Sequence, residues 1–203
     1  LRKKPPGELL KSAHQVDREF RVMDALRDTD VPVPKMYCLC QDESILGQDF
    51  YLMEHVDGRV VTDPMLPNLP VQDRKPLYNH LMEVLAALHG VDRESVGLGD
   101  FGRPGNYYER QISRWSKQYK LSETVEIPEM DALIEWFPKN IPQSDETTLV
   151  HGDYRMGNMI VHPTEPRVLA VLDWELATSG HPLGDLAYNC PMLYYGTNAK
   201  LAA

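Results

Sequence analysis

Three oxygen-bearing side chains in the last third of the chain have the types and spacing of a magnesium–phosphate site. In His151-Gly152-Asp153-Tyr154-Arg155-Met156-Gly157-Asn158, an Asp and an Asn stand five apart. Thr148-Leu149-Val150 before them and Met159-Ile160-Val161 after them are strand-like, which puts the pair on a loop between two short strands. Residues 168–172 form a further apolar strand that ends on Asp173. The turn His162-Pro163-Thr164-Glu165-Pro166 folds Asp173 back beside the loop. Magnesium takes oxygen ligands, few of them from protein, and leaves the rest to phosphates. Asn158 and Asp173 suit that role. Asp153, left off the metal, is free to take a proton from an attacking hydroxyl.

The elements that must position this set begin with a helix over residues 12–26. There Val16, Phe20, Met23 and Leu26 share one face at about 100° per residue, and Glu19 falls inside it. A carboxylate pointing inward is costly unless a cation meets it. Strand-like runs follow at 35–40 and 49–53, then the polar connector Glu54-His55-Val56-Asp57-Gly58. Proline-rich residues 63–76 read as an irregular loop. Leu77, Leu81, Val84, Leu85 and Leu88 keep a helical period that Gly90 stops. Amphipathic helices are expected over 107–120 and 129–137, the second ended by Pro138. On the first of these, Tyr108, Ile112, Trp115 and Tyr119 share a face, opposite a basic stripe of Arg110, Arg114 and Lys117.

The HGD loop, the Asn five after its Asp, and Asp173-Trp174-Glu175 on the next strand together resemble the aminoglycoside phosphotransferase and choline kinase-like family. The branch it resembles is the one found fused to, or encoded beside, acyl-CoA dehydrogenases. Residues 1–7, Ala13-His14, Arg18-Glu19-Phe20, Val31-Pro32-Val33-Pro34, 50–54 and 171–175 carry that likeness, which extends from Leu1 to about Tyr188. The resemblance implies an α+β, bilobal protein kinase-like fold. A partial N-lobe and hinge would occupy residues 1–57, and a mostly helical C-lobe with the catalytic loop residues 58–203. It implies ATP and Mg2+ as cofactors, and transfer of the γ-phosphoryl group to a small-molecule hydroxyl. Arg2 stands where such folds carry the cation that pairs with Glu19 and holds the phosphates. Lys3 and Lys4 are the alternatives, because an Arg is not a substitute point charge. Backbone groups of Glu54 and Val56 would bind adenine, and Arg155 would neutralise charge near the transferred phosphate. His151 would order the loop, and Asp185 in Gly184-Asp185-Leu186-Ala187 would be structural. The branch further implies a hydroxyacyl-CoA acceptor and an acyl-CoA dehydrogenase as partner or fusion. Its N-lobe would be truncated at its start, with the phosphate-covering glycine loop preceding Leu1.

Composition narrows the classes. The 203 residues are 42% hydrophobic, enough for a sizeable core. A formal net charge of -9 argues against general nucleic-acid binding, which needs clustered Lys and Arg. Three cysteines without metal-type spacing argue against a disulfide framework. No apolar run is long enough for a membrane span and no signal peptide opens the chain, so a cytoplasmic setting is the expectation. Gly97-Leu98-Gly99-Asp100-Phe101-Gly102 matches a dinucleotide fingerprint but neither follows a strand nor opens a helix, and reads as a surface loop. Other readings stay open. One is a pseudokinase or nucleotide-binding module, and another an aminoglycoside- or choline-type kinase. The third is a metal-dependent hydrolase using His151 and Asp153, although His162 and His181 lack ligand spacing.

Overall fold

The computed structural model describes residues 1–5, 15–144 and 146–190. The start of the expected first helix (residues 12–14), the break at Pro6-Gly7 and the helix-like stretch ending at Ala203 lie outside the described residues. The chain runs through β1 (Arg2–Lys3), α1 (Val16–Leu26), β2 (Met36–Cys40), α2 (Glu43–Leu46), β3 (Phe50–Met53) and β4 (Arg59–Val60). It continues through α3 (Val71–His89), α4 (Tyr107–Ser122), α5 (Pro128–Trp136), β5 (Thr148–Val150), β6 (Met159–Val161), β7 (Val168–Val171), β8 (Thr178–Gly180) and α6 (Leu183–Asn189). No helix among the described residues is long and apolar enough to cross a membrane.

The strands form three small sheets, ordered β1-β3-β2, β4-β6-β7 and β5-β8. All pairings are antiparallel. The strands flanking the 151–158 loop therefore do not pair with each other. β5 pairs with β8, and β6 pairs with β7 and β4. Bridging two sheets holds the loop at both ends. On the C-terminal side the Leu172 N–H donates to the Asn158 carbonyl at 2.8 Å, which seats Asp173 next to Asn158.

Apolar periodicity accounts for the core. Leu77, Leu81, Val84, Leu85 and Leu88 of α3 are all buried, as are Val16, Val22, Met23 and Leu26 of α1. α3 starts at Val71, inside the stretch expected to be loop. Pro76 is tolerated there because it lies near the helix start on the solvent side, where the loss of one hydrogen bond leaves a carbonyl to water. α1 reaches the distal half of the molecule through Arg18, which donates to the Ala177 carbonyl at 3.2 Å and lies 4.1 Å over the Phe101 ring.

Buried polar groups lock the 151–158 loop. The Asp185 carboxylate is 1% exposed. It accepts from the N–H of His151 and of Gly152, each at 2.8 Å, and lies 3.2 Å from His89 Nε2. His151 is fully buried against Trp174, their ring centroids 4.6 Å apart. Its Nε2 meets the Leu172 carbonyl at 2.9 Å and its Nδ1 accepts from the Asp153 N–H at 3.2 Å, so the neutral ring carries its proton on Nε2. Tyr154 anchors the loop below, its hydroxyl donating to the Leu81 carbonyl at 2.7 Å. Gly152 sits at φ +84°, and a Cβ there would stand 2.7 Å from the Leu176 carbonyl oxygen.

Two outcomes follow from this packing. Gly152→Ala combines left-handed strain with a backbone clash and should cost about 1–3 kcal/mol in urea unfolding; an unchanged midpoint would show that the loop has room. Burial holds the His151 pKa below its ordinary value. The unfolded chain therefore binds the proton first, and this contribution to stability is present above the ordinary histidine value and lost as pH falls through it. The urea midpoint should fall between about pH 7 and about pH 5.5, and less steeply in His151→Gln; identical slopes would remove His151 as the cause.

Candidate active site

Four segments meet around the loop: β1, α1, the 151–158 loop, and the short 3-10 turn Trp174–Leu176 that follows Asp173. Glu19 is 1% exposed on the inner face of α1. Its Oε1 accepts from Arg2 Nη2 at 3.2 Å, and its Oε2 accepts from the Tyr51 hydroxyl at 2.8 Å. Burial raises the Glu19 pKa, and Arg2 and the Tyr51 hydrogen bond pull against that rise. The same Arg2 Nη2 lies 3.7 Å from Asp173 Oδ1 and 3.7 Å from Glu175 Oε2. Lys3, on the other face of the strand, donates to the Leu46 carbonyl at 3.1 Å, away from the carboxylates. Arg2 is thus the β1 side chain placed at the acidic cluster.

Asp173 adopts a left-handed backbone, φ 65°, unusual for a residue with a Cβ. That turn aims its carboxylate at Glu19 and Glu175, and one oxygen from each of the three lies within 4.8 Å of the others. Asp173 Oδ1 is shut off from solvent yet makes no hydrogen bond among the described residues. Closely set carboxylate oxygens with an unsatisfied buried acceptor fit a hard divalent cation such as magnesium. Trp174 faces away from the cluster, fully buried, and donates to the Val171 carbonyl at 3.0 Å.

Asp153 stands on the loop above this cluster. Asn158 Nδ2 donates to its Oδ2 at 2.8 Å and to its backbone carbonyl at 2.9 Å. The amide's nitrogen is thereby held to Asp153, and among the described residues its Oδ1 accepts no hydrogen bond. Arg155 Nε lies 3.2 and 3.3 Å from the two Asp153 oxygens, with its side chain 45% exposed. Gly157 permits that fold-back, because a Cβ on it would meet Arg155 Nη1 at 2.5 Å. In the connector, the Glu54 N–H donates to the Lys35 carbonyl at 2.8 Å, and the Glu54 carboxylate accepts from the Lys35 N–H at 3.1 Å. The Glu54 carbonyl and the Val56 N–H make no backbone hydrogen bond among the described residues.

Of the residues singled out in the sequence, Arg2, Glu19 and Asp173 meet directly, and Asp153, Arg155 and Asn158 form a second contact group joined to Asp173 through the Leu172–Asn158 bond. Three participants carried no assigned role. Tyr51 and Glu175 complete the acidic cluster. Tyr188 on α6 lies near Asp153; its pKa is raised by burial first and then by the charge of Asp153. The signal for Tyr188 was its i+3 spacing from Asp185, which puts both on the helix face toward the loop. The basic stripe on α4 is broken, because Arg110 is tied to the backbone carbonyls of Gly105 and Arg103.

The solved structures similar to this chain include phosphotransferases. A solved structure from Ralstonia eutropha, provisionally named an aminoglycoside phosphotransferase, is 58% identical with a TM-score of 0.83, over 89% of this chain and 55% of that one. Aminoglycoside phosphotransferase APH(4)-Ia, solved with AMP-PNP and hygromycin B, shares the fold at 17% identity and a TM-score of 0.64, over 91% of this chain and 62% of that one. The α+β, kinase-like fold implied by the sequence is the fold of these neighbours. Among curated proteins, mouse acyl-CoA dehydrogenase family member 10 is 50% identical over 96% of this chain. The probable acyl-CoA dehydrogenase IBR3 of Arabidopsis thaliana is 48% identical over 99% of it. The chain spans 18% and 25% of those two relatives' lengths. The sequence profile described as the phosphotransferase enzyme family matches residues 1–202, and the chain belongs to that family.

Proposed function

We propose that this chain is the core of an ATP- and magnesium-dependent kinase that phosphorylates a small-molecule hydroxyl. The observation that carries the reading is the adjacency of two groups: Asp153 with Asn158, and the Arg2–Glu19–Asp173 cluster, linked by the Leu172–Asn158 hydrogen bond. The acceptor hydroxyl attacks the γ-phosphorus, the bond from phosphorus to the β–γ bridging oxygen breaks, and ADP leaves. The acceptor's proton passes to Asp153. His151 is not the proton carrier, because both its ring nitrogens are engaged and it is fully buried. Arg155, paired with Asp153 and half-exposed, would turn onto the transferred phosphoryl group. Asp173 and the Asn158 Oδ1 would hold magnesium, which when bound neutralises phosphate charge. Arg2, held by Glu19, would face the ATP phosphates. The Glu54 carbonyl and Val56 N–H would take the adenine edge.

The division into an N-lobe to about Asp57 and a C-lobe after it is supported by sheet membership. β1, β2 and β3 share one sheet, and β4 joins the strands of the catalytic hairpin. Relatives named as acyl-CoA dehydrogenases, each several-fold longer than this chain, support a kinase working fused to or beside such an enzyme, with a hydroxyacyl-CoA as acceptor.

In the full-length protein, Asp153→Asn should lower kcat by about 10²- to 10⁴-fold with little change in ATP affinity. Near-normal kcat would remove Asp153 as the base. Asp173→Ala should abolish magnesium-dependent ATP turnover, and turnover retained at the same magnesium requirement would refute its role as ligand. Glu19→Gln should raise KM for ATP more than it lowers the melting temperature, since it frees Arg2 to collapse onto Asp173 and Glu175. A change confined to stability would make that pair purely structural.

A further inference from the structure

The glycine-rich segment Gly97-Leu98-Gly99-Asp100-Phe101-Gly102, which reads in the sequence as a surface loop, has a buried side made by Leu98 and Phe101. It lies against β8. The Phe101 carbonyl accepts from the Ser179 N–H at 3.2 Å and from the Ser179 hydroxyl. Gly102, at φ +85°, allows that approach, because a Cβ on it would stand 2.6 Å from the Ser179 nitrogen. β8 in turn pairs with β5, the strand that leads into the 151–158 loop. The Phe101 ring is therefore fixed from behind.

This ring is the seat of Arg18. The guanidinium lies 4.1 Å from the ring centroid, and its Nη2 donates to the Ala177 carbonyl at 3.2 Å. Ala177 closes the turn that follows Asp173, its N–H donating to the Trp174 carbonyl at 3.0 Å. Arg18 is half-buried and forms no salt bridge among the described residues. Burial pulls its pKa below the ordinary value, so the carbonyl and the ring must offset lost hydration. One turn on, Arg21 donates to the Gly97 carbonyl at 2.9 Å and pairs with Asp100. That second contact is exposed and adds little. Glu19 is the neighbour of Arg18, about 100° round the helix, and reaches Arg2 and Tyr51 instead. Adjacent residues thus grip α1 from two sides. A rotation of the helix that relaxed one contact would break the other.

We infer that Arg18 is a positioning residue for the nucleotide side of the site: seated on Phe101 and Ala177, it fixes α1 so that Glu19 holds Arg2 beside Asp173. The inference rests on the kinase reading for what Arg2 meets there, the phosphates of a nucleotide. Arg18 acts through Glu19, and the glycine-rich segment serves as the seat of α1.

The test is calorimetric binding of AMP-PNP with magnesium to the full-length protein and its variants, with the melting temperature measured beside it. Arg18→Ala should raise Kd about tenfold, the scale of one hydrogen bond from a charged donor. Phe101→Leu keeps the apolar volume and removes the ring, and should raise Kd by less. Arg18→Lys returns a cation to the ring without the planar fork, and should recover part of the loss. Arg27→Ala, in an exposed pair with Asp24 at the end of the same helix, should leave Kd unchanged. The double variant Arg18→Ala, Glu19→Gln should bind no more weakly than Glu19→Gln alone, because both act on one contact. A lowered melting temperature with an unmoved Kd, or a double variant in which the two losses add in full, would reduce Arg18 to a structural role and overturn the inference. Where Arg18→Ala does not fold, the Kd of Phe101→Leu decides, and a wild-type value there overturns the inference. Wild-type binding of AMP-PNP with unaffected variants would sink the positioning role and leave the kinase reading standing. No binding by the wild-type protein would sink the kinase reading and this inference with it.

Discussion

A carboxylate that is 1% exposed must find donors, and the three that Asp185 finds hold the 151–158 loop together. Two are backbone N–H groups at His151 and Gly152, and the third is His89 at the end of α3. One buried group therefore joins α3, α6 and the loop on which Asp153 stands. The arrangement needs Gly152, since the backbone there is left-handed and pressed against the Leu176 carbonyl. It also needs a neutral His151, whose two nitrogens tie the loop to Leu172 and to the Asp153 backbone. Backbone anchoring leaves the Asp153 carboxylate free of the loop's own backbone and held by Asn158 and Arg155.

The loop's attachment to two sheets extends the same constraint. A hairpin loop would inherit the twist and mobility of one strand pair. Here β5 is fixed by β8 and β6 by β4 and β7, so the loop's ends cannot move together. Asp173 arrives from the β7 side with its backbone in an unfavourable region, and the buried Trp174 next to it supplies the packing that holds it there. Strain at Asp173 is offset by burial at its neighbour, and this accounts for a large aromatic between Asp173 and Glu175.

Local periodicity made much of this legible in the sequence. The inward face of α1 with Glu19 in it, the five buried residues of α3 and the strands around the loop all follow from spacing. The HGD and DWE residues could be singled out because their order along the chain mirrors their placement around one site. What spacing could not show was pairing between distant strands. Two-residue β4 and three-residue β8 have no period of their own and exist through their partners β6 and β5. Tyr51 was hidden for a related reason: it acts through a hydroxyl reaching a carboxylate 32 positions away. The start of α3 was obscured by Pro76, which stands inside the helix on its exposed side, where the carbonyl left without a partner can turn to water.

Arg in place of Lys at position 2 is best understood from the geometry it serves. Three carboxylates converge here, and a single nitrogen of Arg2 lies 3.2, 3.7 and 3.7 Å from their oxygens. A guanidinium spreads its charge over a plane with five donors, so it can hold Glu19 through one N–H and keep others directed at an incoming anion. An ammonium is a compact charge that would settle on one carboxylate and be strongly hydrated elsewhere. The cluster still carries more negative charge than Arg2 offsets, and that imbalance would favour a divalent cation at the proposed site. The Arg2–Glu19 pair is therefore the hinge of the electrostatics: Glu19 and Tyr51 fix where the guanidinium sits, and the remaining donors of Arg2 decide what the site can accept.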